Sequence, residues 1–94
     1  MTVTKDLTFS IVAYKNYDQI INAVNSINKF TKKYSKEIII VDNTEQACIK
    51  DYSDQINNLE NLNDVQLIQN KNNFGFGKAN NIALQHAVGQ FFVI

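Results

Sequence analysis

The chain has 94 residues, with nine lysines against nine Asp and Glu residues and no arginine, so its formal net charge is zero. This length allows one small globular domain, and the 45% of hydrophobic residues are enough for a core. Non-specific nucleic-acid binding needs a basic excess and base reading favours arginine, so nucleic acid is not an expected partner.

Cysteine content and the N-terminus predict a cytoplasmic protein. Cys48 is the single cysteine and cannot close an intramolecular disulfide, and one cysteine with one histidine cannot complete a zinc site without carboxylates. Residues 1–6 lack the apolar core of a signal peptide, and no apolar run approaches the length of a membrane helix. Secretion is therefore not expected.

The first elements in chain order are a strand and an amphipathic helix. Residues 8–14 are rich in β-branched and aromatic side chains, which predicts a strand. A helix is predicted over residues 16–30, because its apolar side chains recur at helical spacing. Asn16 and Gln19 are placed to form a capping box at its start.

Two further strands are predicted by the middle of the chain. Residues 37–42 form an unbroken β-branched run, which indicates a strand buried on both faces and parallel to the first. Residues 44–64 are weakly helical, and residues 65–69 form the third strand.

The last part of the chain predicts a loop, a helix and a fourth strand. The loop covers residues 71–77, and the helix covers 78–88, with His86 as a partly buried helix residue. Gly89 is expected to end this helix in a left-handed cap, and residues 91–94 begin the fourth strand.

The alternation of strands and helices predicts an α/β fold with an open, mostly parallel sheet and helices on both faces. Ligands of such sheets bind at the carboxyl ends of the strands, where Tyr14, Asp42 and the 71–78 loop are placed. Two structural alternatives stay open: Tyr14 as a strand-end aromatic and Asp42 as a turn cap. An unclosed fourth strand predicts self-association, a docked partner or further chain.

Other motifs are weaker. Gly75-x-Gly77-x-x-Asn80 approaches a dinucleotide fingerprint, but it lacks the third glycine and follows the third strand. Gly77-Lys78 is similar to a phosphate loop, but Ala79 replaces the hydroxyl residue that a phosphate loop requires. His86 and Cys48 have no partners in sequence that would give them a catalytic role.

A lysine cluster surrounds the end of the first predicted helix. A solvated helix end, where cations favour the negative pole of the helix dipole, explains the cluster. Contact with anionic lipid headgroups, and hence peripheral membrane association of a parent protein, is the alternative. The cluster consists of Lys29, Lys32, Lys33 and Lys36.

Three segments in this order, residues 9–16, 37–43 and 73–81, resemble the family 2 glycosyltransferases, particularly the rhamnosyltransferase-like branch. The resemblance covers residues 7–94. It implies the Rossmann-like nucleotide-diphospho-sugar transferase fold, called GT-A. In that fold the end of the first strand, the aspartate of the second strand and the Gly-Phe loop enclose the nucleotide.

The resemblance also implies a nucleotide-binding site for a UDP- or dTDP-sugar. By similarity, Tyr14 would lie against the base, and Asp42 would accept a hydrogen bond from the base or ribose. Lys78 would approach the diphosphate. Residues 73–81 would shape the floor of the site, with Asn73, Gly75 and Asn81 as binding residues.

This sequence departs from the family pattern at three points. Ala83 replaces a usual glycine, and Ala13-Tyr14-Lys15 stands where the family often has Thr-Tyr-Asn. The acidic Asp-x-Asp metal motif and the later general base are not in residues 1–94, so a divalent metal, Mn or Mg, is expected only for a full-length parent. No catalytic residue, metal ligand or cofactor is assigned to this chain.

Residues 1–94 are therefore interpreted as a partial domain, the N-terminal nucleotide-sugar-binding half of a glycosyltransferase. The parent would transfer a sugar to a glycan, and this truncated chain alone is predicted to be inactive. Two alternatives stay open: a non-catalytic nucleotide-binding or protein-interaction module, and a non-functional gene remnant.

Overall fold

Four strands and four helices make up residues 4–94, the part of the chain that the computed structural model describes. The strands are Lys5–Ala13 (β1), Lys36–Asp42 (β2), Val65–Gln69 (β3) and Gly89–Val93 (β4). The helices are Tyr17–Phe30 (α1), Gln46–Ile49 (α2), Ser53–Glu60 (α3) and Phe76–His86 (α4), and a 3-10 turn at Lys50–Tyr52 joins α2 to α3. Residues 1–3 of the N-terminal segment lie outside the described residues. None of the described helices is long and apolar enough to cross a membrane.

The four strands form one open sheet in the order β3-β2-β1-β4, and every neighbouring pair is parallel. This arrangement confirms the predicted open parallel α/β sheet. Ala13 pairs with Asp42, and Asp42 pairs with Gln69, so β1, β2 and β3 end at the same level. β4 pairs with the first half of β1, from Lys5 opposite Gly89.

The apolar run of β2 separates two hydrophobic cores. Ile38 and Ile40 pack with α1 and α3 on one face of the sheet, whereas Ile39 and Val41 pack with α4 on the other. All four side chains are fully buried. Successive side chains of a strand point to opposite faces, so a continuous apolar run requires helices on both sides. The predicted burial of this strand and the placing of helices on both faces are confirmed.

α1 has the predicted range, but its predicted cap is wrong. Tyr17, Ile20 and Val24 bury one face of the helix against the sheet. Asn16 stands at the N-cap position and makes no side-chain cap. Its Oδ1 instead accepts a hydrogen bond of 2.8 Å from the backbone N–H of Tyr14, because the chain turns back on itself between β1 and α1.

The ends of α4 also differ from prediction. The helix begins at Phe76, within the predicted loop, and ends at His86, which is exposed and not partly buried. Gly89 does not cap the helix in the left-handed region, since it is the first residue of β4. A Cβ at Gly89 would lie 2.4 Å from the backbone nitrogen of Thr8, so close strand contact is what requires glycine there.

Candidate functional site

The carboxyl end of the sheet gathers the polar residues of the chain that follow β1, β2 and β3. The chain proceeds outward from β1 to β3 and then crosses back to β4 on the opposite side of β1. Open parallel sheets bind ligands outside the carboxyl ends of their strands, at the point where the strand order reverses. The residues at this edge are therefore the candidate site.

Tyr14 follows β1 and is held in place by its neighbours while remaining 40% exposed. Its hydroxyl donates to the carboxylate of Glu45, with 2.9 Å to each carboxylate oxygen. The ammonium of Lys15 lies 4.8 Å from the centroid of the Tyr14 ring. The ring is thus fixed at its tip by Glu45 and contacted at its face by a cation.

Lys15 and Glu45 form an ion pair beside Tyr14, with 3.6 Å between Nζ and Oε1. Proximity to the Tyr14 side chain raises the pKa of Lys15. The hydrogen bond from Tyr14 holds the pKa of Glu45 below its ordinary value, and the charge of Lys15 acts in the same direction. Both groups are charged at neutral pH, so the edge of the site presents a fixed pair of opposite charges around the tyrosine.

Asp42 ends β2 and is completely buried. Its Oδ2 accepts a hydrogen bond of 2.6 Å from the Tyr17 hydroxyl, and its Oδ1 accepts one of 3.0 Å from the backbone N–H of Thr44. Tyr17 Oη also lies 2.8 Å from Thr44 Oγ1. Since the phenolic proton points to Asp42, the Thr44 hydroxyl supplies the proton of that second bond. Burial, and then the hydrogen bond to Asp42, raise the pKa of Tyr17 well above its ordinary value.

Asn43 joins the end of β2 to β3 and to the start of α4. Its backbone N–H donates to Ala13 O at 2.8 Å, and its Oδ1 accepts a bond of 2.7 Å from Asn70 Nδ2. Its own Nδ2 donates to the carbonyl of Gly75 at 3.2 Å. Asn43 itself is 1% exposed, and these bonds fix the loop against the strand ends.

The start of α4 is open to a ligand. Gly75 is its N-cap residue, with φ of 85° and ψ of 170°, and no side chain caps the first turn. The first backbone N–H groups of a helix have no partner within the helix and carry partial positive charge. Asn73 Oδ1 accepts from the N–H of Gly75, which shapes the loop just before the helix.

Lys78 and Asn81 lie on the exposed side of α4. With Phe74 and Ile82 they line a shallow hollow of about 320 Å³. Lys78 Nζ stands 6.0 Å from the centroid of the Phe74 ring. The hollow is thus apolar at its base and carries a cation at its edge.

Asn80 belongs to the same sequence motif but points into the protein. Its Oδ1 accepts a hydrogen bond of 2.6 Å from the hydroxyl of Ser10, and its Nδ2 donates to Phe76 O. Both Ser10 and Asn80 are buried. This residue fastens α4 to β1 and is not available to a ligand.

A second hollow, of about 250 Å³, lies at the start of α1. It is bordered by Tyr17 and by Tyr52, whose ring centroids are 5.3 Å apart. The remaining lining residues are Lys15, Asn16, Asp18, Gln19 and Gln55. The hollow adjoins the Lys15–Glu45 pair and enlarges the polar edge of the site.

The predicted site residues fall into two groups. Tyr14 and Asp42 lie at the ends of the neighbouring strands β1 and β2. The second group surrounds the start of α4 and consists of Asn73, Gly75, Lys78 and Asn81. Asn43 connects the groups through Gly75. Sequence reasoning missed Tyr17, Thr44, Glu45 and Asn70, which hold the predicted residues in place. Thr44 and Glu45 directly follow the predicted Asp42-Asn43 pair, and this position in the sequence could have indicated that they belong to the site.

A divalent metal, which the family resemblance implies for a parent protein, does not fit the residues described. Among residues 4–94 no three His, Cys, Asp or Glu side chains are placed to hold an ion. The Asp42 carboxylate is buried and bonded to Tyr17 and Thr44. No step of the function is therefore derived through a metal.

Comparison with known proteins adds a family to this geometry. No individually curated protein matches the chain significantly. The sequence profile of Glycosyl transferase family 2 matches residues 8–94, which include all four strands from Thr8 of β1 onward. The open parallel sheet with helices on both faces is consistent with the GT-A fold. The chain therefore belongs to glycosyl transferase family 2.

Proposed function

We propose that this chain binds the nucleotide part of a UDP- or dTDP-sugar at the carboxyl end of its sheet. Family 2 membership implies a nucleotide-sugar donor in general. The observation that carries the proposal is the uncapped N-terminus of α4 at Gly75, tied to the end of β2 by Asn43.

The start of α4 is suited to phosphate groups. Backbone N–H groups at a helix N-terminus bind anions through hydrogen bonds and the helix dipole. Gly75 supports this arrangement because its φ of 85° is unfavourable for other residues. Lys78, in the first turn, supplies a positive charge toward a diphosphate.

Tyr14 is suited to contact the base. Its ring is exposed, and the bond to Glu45 restricts its rotation, so little conformational entropy is lost on stacking. Lys15 contacts the ring, and Tyr14 keeps 40% of its surface exposed for contact with a base. Direct acceptance by Asp42 from the base or ribose stays a prediction, and it requires Tyr17 or Thr44 to move because the carboxylate is fully buried.

A more specific assignment within the family is supported by the resemblance of residues 9–16, 37–43 and 73–81 to the rhamnosyltransferase-like branch. We propose that residues 1–94 act as the N-terminal donor-binding portion of a rhamnosyltransferase-like enzyme whose product is a glycan. That the chain alone is inactive stays a prediction from its sequence. A cytoplasmic location stays a prediction from the single cysteine.

Calorimetric titration of the purified chain with UDP and dTDP tests the proposal. We expect binding that Tyr14→Ala and Lys78→Gln each weaken, whereas the matched controls Tyr34→Ala and Lys50→Gln do not. Manganese is expected to have no effect on the affinity. Tyr34 and Lys50 are exposed like their counterparts and lie outside the site.

Two results would contradict the proposal. A folded sample that binds neither nucleotide would favour the alternatives of a protein-interaction module or a gene remnant. Equal losses in the site variants and in their controls would show that binding occurs elsewhere.

We propose self-association through β4 as a second property. β4 is an outer strand of the sheet, and Phe91 on it is 61% exposed. An open edge with an exposed aromatic side chain favours pairing with a second copy. Light scattering at increasing concentration should show dimers that Phe91→Lys abolishes and Leu84→Lys does not, and a monodisperse monomer at all concentrations would refute the property.

A further inference from the structure

The turn between α1 and β2 concentrates cations and aromatic rings at the end of the molecule remote from the candidate site. α1 begins beside the carboxyl end of β1 and ends at Phe30, near the start of β2. We call residues 29–34 the basic-aromatic turn. Its exposed side chains are Lys29, Phe30, Lys32, Lys33 and Tyr34.

In the described part of the chain, no lysine of this turn forms an ion pair with an acidic side chain. Residues 29–34 contain three lysines and no acidic residue, although the whole chain is neutral. In the described part of the chain, an ion pair is formed only between Lys15 and Glu45. Lys36, the fourth lysine of the sequence cluster, is 9% exposed and does not belong to this surface.

The aromatic side chains are the feature that a solvated helix end does not explain. Phe30 is 79% exposed and Tyr34 is 55% exposed, and neither packs against the two cores. A lysine in the last turn favours the helix dipole without any need for an exposed phenylalanine beside it. Lys29 Nζ lies 5.5 Å from the centroid of the Phe30 ring, so charge and ring form one surface.

Hydrogen bonds hold this surface in one shape. The N–H of Thr31 donates to Ile27 O at 3.0 Å, and the N–H of Tyr34 donates to Thr31 O at 3.1 Å. Asp6 and Ser35 bond reciprocally, through Asp6 N–H to Ser35 Oγ and Ser35 N–H to Asp6 Oδ2. The turn is therefore ordered before any partner arrives, which lowers the entropic cost of binding.

We propose that the basic-aromatic turn docks on the surface of an anionic phospholipid bilayer. Lysines are attracted to the negative surface potential of such a bilayer, and tyrosine and phenylalanine rings insert at the level of the headgroups. Nucleic acid fits less well, because this turn has three lysines, no arginine and a neutral chain behind it. The docked protein would present the opposite, carboxyl end of its sheet away from the membrane.

Vesicle co-sedimentation at low salt tests this proposal. The full chain should sediment with phosphatidylcholine–phosphatidylserine vesicles and not with pure phosphatidylcholine vesicles. Each lysine near an anionic surface contributes roughly fivefold in partitioning, so the triple variant Lys29→Gln/Lys32→Gln/Lys33→Gln should lose on the order of 100-fold. Lys33→Gln alone should lose about fivefold, whereas the control Lys50→Gln should lose nothing measurable.

The aromatic part is tested separately. Phe30→Ser should weaken sedimentation with anionic vesicles, whereas Leu84→Ser, which removes an apolar side chain that is 50% exposed on α4, should not. Circular dichroism of every variant should match the parent chain, since all the changed side chains are exposed.

Three results would overturn the proposal. These are equal sedimentation with neutral and anionic vesicles, equal losses for Lys33→Gln and Lys50→Gln, and lysine dependence without any effect of Phe30→Ser. If Phe30→Ser has no effect and an RNA homopolymer also binds equally strongly through the lysines, the turn is a site for polyanions and not for a bilayer.

Discussion

Asn43 Nδ2 donates a hydrogen bond of 3.2 Å to the carbonyl oxygen of Gly75, across 32 residues of sequence. This bond joins the end of β2 to Gly75 at the N-cap position of α4, and Asn70 completes the link from β3. The two halves of the candidate site are thus positioned by one buried amide.

Replacing Asn43 by alanine should weaken both the fold and nucleotide binding. The change removes the part-buried hydrogen bonds to Asn70 and Gly75, and at about 0.5–1.5 kcal/mol for each bond the two together contribute about 1–3 kcal/mol. Urea unfolding should show a loss of this size, and calorimetry should show a weaker affinity for UDP or dTDP. Asn57→Ala, an exposed change on α3, is the control, and equal stability of the two variants would contradict the assigned role.

Gly89→Ala and Gly77→Ala should have opposite effects on stability. A Cβ at Gly89 would lie 2.4 Å from the nitrogen and from Oγ1 of Thr8, so β4 must shift away from β1. Overpacking of this kind costs about 1–3 kcal/mol or more. A Cβ at Gly77 meets nothing within 4 Å, and alanine there restricts the unfolded chain, which stabilises the fold by about 0.4–1 kcal/mol. Thermal unfolding of both variants measures the difference. If Gly89→Ala stabilised the protein, β4 would not be packed closely against Thr8 of β1.

Tyr17→Phe should destabilise the fold at neutral pH. The change removes the hydroxyl that donates to buried Asp42, and a hydrogen bond to a charged group contributes about 1.5–3 kcal/mol. Urea unfolding at neutral pH checks this value. An unchanged free energy of unfolding would mean that water or the Thr44 hydroxyl donates to Asp42 in place of the lost phenol.

The same tyrosine should make stability fall at alkaline pH. The pKa of Tyr17 is raised in the folded state above its ordinary value of 10.0, so the folded state holds the proton more tightly. The contribution is complete below pH 10.0 and is lost progressively as the pH rises above it. The free energy of unfolding of the parent chain should therefore fall more steeply above this pH than that of Tyr17→Phe. Parallel curves would refute the raised pKa.

Glu45→Gln should weaken nucleotide binding while changing stability little. The substitution removes the charge that fixes the Tyr14 hydroxyl and pairs with Lys15, and both charged groups are solvent-exposed. In the parent chain the pKa of Glu45 is lowered, so its contribution is present above its ordinary value of 4.5 and is lost as the pH falls through the folded-state value. Calorimetry at neutral pH is the measurement, with Glu60→Gln on α3 as control. An unchanged affinity would show that Tyr14 needs no such support.

The sequence by itself determined the elements and their order. The β-branched run of β2 requires two covered faces, and the structure places helices on both sides of it. Strand β3 has the predicted bounds, because its short apolar run stands between clusters of Asn and Asp residues. Such patterns depend on residues that are close together in the sequence, so they can be recognised without a structure.

Only the tertiary structure decided which side chain meets which. The glycine at position 89 was expected to end a helix, and it in fact permits contact with Thr8, 81 residues earlier in the chain. Asp42 was expected either to face a ligand or to cap its own turn. Its local bond from the N–H of Thr44 is such a turn cap, and the tertiary structure adds the hydroxyl of Tyr17, which lies 25 residues earlier in the chain. These contacts arise when parallel strands and crossing helices bring distant segments together, and no local periodicity encodes them.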